Sequence, residues 1–248
     1  MANQNGKASV LVKSEPENLE SLKEAAHKLK NEHPIEIIRF GIEHVGVSAI
    51  ALACSFGAED VALVDMVLKV DEKVDIFYLD TDLHFSETYE VRDKLKERYQ
   101  KEFIRVSPAL TLTEQAEKYG DELWKVNPDQ CCRIRKVEPL KQFLSGYKGW
   151  ITGIRREQSP TRAHTEVIEW DRAFGLVKIN PLAFWSNEQV WDYIKRHDIP
   201  YNKLHDQQYP SIGCQPCTRP VKPGEDLRAG RWAGLAKTEC GLHNSPVR

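Results

Sequence analysis

The chain has 248 residues, 41% hydrophobic and 29% charged, with 35 basic residues against 37 acidic ones. That balance suits one sizeable globular domain and excludes disordered, collagen-like and membrane-spanning chains; the longest apolar run, Val47 to Cys54, is too short for a bilayer. No surplus of positive charge advertises nucleic acid or a membrane surface as a partner, so any anion site must be built locally.

The polar start, Met1 to Leu22, has no basic stretch leading into an apolar one, so no secretory signal is expected and a cytoplasmic location is. From Glu17 to Val45 apolar residues recur at helical spacing, and Pro34 restarts a second helix. Val47 to Ser55 reads as a buried strand, broken at Gly57 and followed by a helix over Ala58 to Val70. A second strand, Val74 to Leu79, precedes a charged helix from Glu87 to Tyr99. A third strand at Phe103 to Val106, helices over Thr111 to Tyr119 and Cys131 to Leu144, and a strand at Trp150 to Gly153 continue the alternation. Gly153 to Thr165 reads as a long ordered loop. Leu176 to Asn180 forms a short strand before a helix from Asn187 to Arg196, and beyond Tyr209 the Pro-, Gly-, Cys- and Arg-rich chain shows little periodicity.

Strands alternating with helices at this interval predict a doubly wound parallel α/β sheet with a Cys-rich C-terminal tail. The expected organisation is a helical layer over 1–46, an α/β core over 47–210 and a tail over 211–248, all within one domain. Ligands of open parallel sheets sit beyond the carboxyl ends of the strands. The turns there are Ser55-Phe56-Gly57, Leu79-Asp80-Thr81 and Thr152-Gly153-Ile154. Ser55 and Gly57 could offer a hydroxyl and backbone N–H groups to an anion at a helix start, though Ser-x-Gly is also an ordinary strand-to-helix turn. Neither a Walker loop nor a dinucleotide fingerprint is present, and Glu59 and Asp60 after the first turn oppose a triphosphate.

Six cysteines in a reducing compartment point to metal ligands or catalytic thiols rather than a disulfide framework. Cys131-Cys132 and Cys214-Gln215-Pro216-Cys217 supply four thiolates, enough for a tetrahedral zinc or an iron–sulfur cluster. Direct adjacency suits a bulky cluster better than one ion, while zinc and plain core cysteines stay open on chemistry alone. Cys54, inside an apolar strand, reads as core. Cys240, between Lys237 and His243 near the chain end, could be an activated thiol or an exposed bystander.

Ser55-Phe56-Gly57-Ala58-Glu59-Asp60, Leu79-Asp80-Thr81, Cys131-Cys132 with Arg135-Lys136, Cys214-Gln215-Pro216-Cys217 and Glu239-Cys240-Gly241-Leu242-His243 together resemble the assimilatory adenylylsulfate reductases. These are the iron–sulfur branch of the phosphoadenylylsulfate reductase family, and the likeness runs from Val47 to His243. The resemblance implies an adenine-nucleotide hydrolase-like fold and a [4Fe-4S] cluster on Cys131, Cys132, Cys214 and Cys217. It implies that the Cys240 thiolate attacks the sulfuryl sulfur of an adenine nucleotide, adenylylsulfate (APS), releasing AMP. A thioredoxin or similar dithiol then frees sulfite from the S-sulfocysteine. With four thiols assigned to the cluster and Cys54 to the core, only one thiol remains, so the resolving thiol comes from outside.

Matched positions make Lys136 and His243 catalytic partners of Cys240. They make Ser55, Gly57, Asp80, Thr81, Gly153, Arg162, Arg228 and Arg231 substrate-binding residues, with Arg155 and Arg156 behind them. One departure stands out: the family commonly has Leu-Asp-Thr-Gly where this chain has Asp82. Asp tolerates the left-handed backbone region better than most residues, so the loop is expected to survive. Two rivals follow: a reductase acting on the 3′-phosphorylated nucleotide (PAPS) or on both, and a zinc-stabilised nucleotide- or nucleic-acid-binding protein using Arg228, Arg231 and Trp232. Neither nucleic acid nor membrane is an expected partner, and assembly into a homo-oligomer is left open.

Overall fold

The computed structural model describes residues 19–243, so the expectations for 1–18 and 244–248 lie outside the described residues. Helices α1 (Leu19–Leu29) and α2 (Pro34–Val45) form the entry layer, with Pro34 at the start of α2 and the His33 side chain accepting from the Ile35 amide. There follow β1 (Ile50–Ala53), α3 (Ala58–Val70), β2 (Asp75–Leu79), α4 (Ser86–Tyr99), β3 (Ile104–Val106) and α5 (Leu112–Tyr119). Short helices α6 (Leu123–Val126) and α7 (Pro128–Cys132) lead through a π-helical turn, Arg133–Val137, into α8 (Glu138–Leu144). The chain continues with β4 (Gly149–Ile151), β5 (Ile168–Asp171), β6 (Leu176–Ile179) and α9 (Asn187–Arg196).

The six strands lie in the order β3-β2-β1-β4-β6-β5, and all neighbours are parallel except the β5–β6 hairpin. Burial on both faces follows the strand period of two. Ile50, Leu52, Ile76, Ile151 and Ile179 face a core shared with α2, α3 and α9, while Ala51, Phe77 and Trp150 face α8 on the other side. Helix α3 is apolar nearly all round because it is sandwiched between the sheet, α2 and α9. Successive strands are added outward in opposite directions from β1 and β4, which makes the gap between these two parallel strands the switch point at which such sheets open a ligand crevice.

Several local features depart from expectation: the strand expected over Val47 to Ser55 opens as a 3₁₀ turn, Val47–Ala49, and α6 is not read from the sequence. The single helix expected over Cys131 to Leu144 contains the π turn, and both Arg135 and Lys136 within it are buried. Strand β5 is not predicted by the sequence pattern; it is an edge strand whose turn is made by Asp171, accepting from the amides of Ala173 and Phe174, and by Gly175 at φ +67°.

Candidate active site

The floor of the site is the turn after β1. Phe56 takes a left-handed φ of 61°, which buries its ring against Tyr78 and Phe103 at centroid distances of 5.4 and 5.6 Å. The Asp60 carboxylate accepts from the Ser55 amide at 2.6 Å and from the Ser55 hydroxyl at 2.5 Å, closing the turn on the first turn of α3. Burial pushes Asp60 up to about 6, against the pull of its Ser55 hydrogen bonds. From the neighbouring strand end, Gly153 lies so close that a Cβ there would overlap Asp60 Oδ1 and come within 2.9 Å of Glu59 Cβ. Only glycine lets the two strand-end turns meet.

Glu59 is held at 2.8 Å by Arg155, a guanidinium only 2% exposed that also reaches Asn187 and the Trp185 carbonyl. The two acids expected to repel a polyphosphate are thus turned to structural use: one is paired, and the other grips Ser55.

A cavity of about 230 Å³ opens above this floor at the switch point. Its lining includes Cys240, His243 and Lys136, together with Ser55, Gly57, Gly153, Arg162, Arg228 and Arg231. Asp80 and Thr81 do not line it; Leu79 just before them does. Asp80 is buried beneath the floor, accepting from Tyr89 Oη and Arg105 Nε at 2.7 Å each. Thr81 Oγ1 lies 3.3 Å from Cys214 Sγ, and its carbonyl accepts from Arg135 Nε at 2.7 Å. Thr81 ties the second strand end to the Cys-rich loop, while Asp80 ties it to α4 and β3. Asp82 is left-handed at φ 55°, as its side chain permits, and its carboxylate pairs with Arg105 at 3.0 Å and Arg135 at 2.5 Å.

The cysteine loop is stitched to the core by backbone hydrogen bonds, Gln215 N to Leu83 O at 2.7 Å and Trp232 N to Cys217 O at 2.9 Å. All six cysteines are free of disulfides. Cys131 interacts electrostatically with Cys132 and Cys214, and Cys217 with all three, so the four predicted ligands form one neighbourhood. Among the described residues no group of three or more His, Cys, Asp or Glu side chains is gathered for a single metal ion. The donors nonetheless suit a cluster by their chemistry: they are four neighbouring thiols beside a buried ammonium that can offset the charge of a tetrathiolate.

That ammonium is Lys136. Burial alone would lower its pKa, but the sulfurs of Cys214, Cys132 and Cys240 overrule it and hold Lys136 raised. It therefore stands between the predicted ligands and the predicted nucleophile. Arg231 crosses Gly213, where a Cβ would overlap its guanidinium, and reaches the Ser211 hydroxyl at 3.2 Å.

The tail closes the cavity. Leu242 packs on the α8 face of the sheet, and the His243 ring stacks on Trp150 at 5.5 Å and 12°. Burial, reinforced by Lys178, Arg162 and Arg228, holds His243 well below the usual imidazole range, so it enters as a neutral ring. Glu239 belongs to the terminal sequence motif, which assigns it no role. Its carboxylate is taken by Arg162 at 2.8 Å, Arg228 at 3.1 Å, and the hydroxyls of Ser159 and Thr161. Burial and the neighbouring Arg162 lower Arg228 to about 10, with Glu239 opposing, so it stays charged at neutral pH. Trp150 is a further site residue that sequence reasoning misses, since nothing in its local context separates it from a core tryptophan.

The family profile described as phosphoadenosine phosphosulfate reductase domain matches residues 49–220. Adenosine 5'-phosphosulfate reductase from Shouchella clausii is 54% identical over 217 residues, covering 87% of this chain and 90% of that protein. Adenosine 5'-phosphosulfate reductase 2 from Bacillus subtilis is 52% identical over 210 residues, covering 84% and 89%. Among solved structures, phosphoadenylyl-sulfate reductase from Candida auris in a phosphate complex superposes with a TM-score of 0.73 at 31% identity, over 83% of this chain and all of that one. FMN adenylyltransferase from Candida glabrata shares the fold alone, with a TM-score of 0.55 at 15% identity over 89% of this chain and 84% of that one.

Proposed function

Because the chain belongs to the phosphoadenosine phosphosulfate reductase family, we propose that it reduces adenosine 5'-phosphosulfate to sulfite and AMP, with Cys240 as nucleophile and a thioredoxin-like dithiol as reductant. The observation that carries this reading is the convergence of Cys240, Lys136 and three arginines on one cavity at the sheet's switch point.

The Ser55–Gly57 turn presents its hydroxyl and backbone N–H groups to the nucleotide, and Arg162, Arg228 and Arg231 neutralise its phosphate and sulfate oxygens. Lys136, fixed in a dry setting, offsets the negative charge that builds as the Cys240 thiolate approaches the sulfuryl group. The Cys240 sulfur bonds to the sulfuryl sulfur, the bond from that sulfur to the phosphate oxygen breaks, and AMP departs with the electron pair. A thiolate of the external dithiol then attacks Cys240 Sγ, sulfite leaves, and the partner's second thiol resolves the mixed disulfide. These two thiol steps supply both electrons.

Cys131, Cys132, Cys214 and Cys217 would hold a [4Fe-4S] cluster, which when bound supplies a structural anchor and a local field beside Lys136. No described helix is long and apolar enough to cross a membrane. A thiol-dependent reaction of this kind belongs in the reducing cytoplasm.

Intact-protein mass spectrometry after anaerobic incubation with APS, without thiol reductant, tests the reading. A gain of one SO₃ unit mapped to Cys240 is expected, and a parallel incubation with PAPS reports nucleotide preference. No adduct from either nucleotide on metal-replete protein overturns the covalent mechanism.

A further inference from the structure

Arg162 grips Glu239 with the edge of its guanidinium that fits an oxyanion. Nε donates to Oε1 at 3.0 Å and Nη2 to Oε2 at 2.8 Å, a two-pronged contact, while Nη1 is turned away to Gln158. Arg228 adds a bond from Nη2 to the same Oε2 at 3.1 Å. Glu239, Arg162 and Arg228 side chains are 15%, 11% and 14% exposed, so these charges meet largely out of water. Glu239 is joined to the nucleophile by one peptide bond. On either side the tail has other holds: the Lys237 ion pair with Asp129, and Leu242 and His243 against the sheet. The segment between them can pivot about these points if the central pair is released.

We propose that Glu239 is a positioning residue for Cys240 and an internal competitor of the substrate: it docks the tail by filling, with its own carboxylate, the arginine seat that a substrate sulfate or phosphate takes. The inference rests on the reading of Arg162 and Arg228 as substrate-binding residues. An arriving oxyanion takes the Nε/Nη2 edge of Arg162, the carboxylate is displaced, and the Thr238–Gly241 segment is freed to move. Tail docking and anion binding are therefore mutually exclusive at this edge, and an empty site keeps its thiol sequestered. A Cys240 thiol left loose without substrate would be open to oxidation and to unproductive disulfides.

The test follows the alkylation rate of Cys240, mapped by mass spectrometry, in the full-length protein without nucleotide. Sodium sulfate replacing sodium chloride at equal ionic strength should accelerate alkylation several-fold in the unmodified protein. Glu239→Gln should be alkylated about tenfold faster than the parent without sulfate, since a charge-assisted pair is lost, and should no longer respond to sulfate. Calorimetric titration with AMP should show tighter binding to Glu239→Gln than to the parent. Sulfate that leaves the parent's rate unchanged or slows it overturns the competition without reliance on any variant, and AMP binding equal or weaker in Glu239→Gln does the same. A parental alkylation rate in Glu239→Gln overturns the anchoring. If AMP fails to bind even the parent protein, the nucleotide reading falls while the sulfate arm still decides the role of Glu239.

Discussion

The floor and the roof of the cavity are built by different physics. The floor consists of strand-end turns held by short hydrogen bonds to Ser55, close approach at Gly153 and aromatic packing around Phe56, all backed by the larger hydrophobic core. The roof, from Ser211 to His243, has no helix longer than one 3₁₀ turn and a single isolated bridge, Thr218 to Arg231. Beyond the backbone hydrogen bonds of the cysteine loop and the Leu242 contact, it is held by ion pairs, Arg219 with Glu225, Lys237 with Asp129, and Glu239 with two arginines, and by one stacked ring. Ionic screening does not weaken apolar burial, whereas it does weaken ion pairs, least those held out of water. In the proposed reaction the base of the nucleotide seat is preorganised on the rigid part, with Arg228 and Arg231 reaching it from the roof. The proposed nucleophile, Cys240, which would meet both substrate and a thiol reductant, sits on the part held largely by charge.

This contrast can be broken at either end. Cys240→Ser should abolish sulfite formation while leaving AMP binding intact, because the thiol is separate from the groups proposed to seat the nucleotide; any retained turnover would remove Cys240 from its role. Lys136→Ala strikes between the two regions and should cost about 2–4 kcal/mol of transition-state stabilisation, roughly thirty- to nine-hundredfold in kcat. An unchanged kcat would show that Lys136 serves the cysteine loop alone.

Gly153→Ala attacks the floor itself. The new methyl group displaces the Asp60 carboxylate, and unfolding in urea should report a loss of about 1–3 kcal/mol. Wild-type stability in this variant would mean that the two turns are not locked together.

The smallest effect is a pH dependence. Asp60 binds its proton more tightly in the folded chain, about 6 against an ordinary 3.8, so the folded state is favoured where it is protonated. Its contribution is fully present below 3.8 and is lost as pH rises through about 6. Asp60→Asn should flatten the stability–pH curve across that window, and an unchanged slope there would assign the shift to another group. The Ser55 hydrogen bonds are strongest above it, where the Asp60 carboxylate that accepts them is ionised.

Much of the site is legible in the amino-acid sequence because its signals are short-ranged. Strand-end turns announce themselves by apolar runs ending in Ser-x-Gly or Asp-Thr, and paired cysteines by their spacing. Asp82 is legible too, since a residue tolerant of left-handed backbone stands where the family carries glycine. Edge strand β5 is hidden because Ile168–Asp171 has no continuous apolar run and follows a loop dense in turn-forming residues. Asp80 and Thr81 fall on the correct turn, but which way a side chain faces at a strand end depends on the neighbours that claim it, here Tyr89, Arg105 and Cys214.

By itself, the amino-acid sequence determined the alternating α/β architecture, the family and the set of chemically competent residues, because periodicity, turn chemistry and motif spacing are properties of neighbouring positions. Only the tertiary structure decided how those residues are used. It brought Glu239 across 77 positions to Arg162, turned Asp60 back onto Ser55, placed a neutral His243 on Trp150, and set Lys136 between Cys214 and Cys240. Burial and charge pairing of this kind depend on which distant segments meet once the core has formed, and no local pattern in the chain encodes that distance.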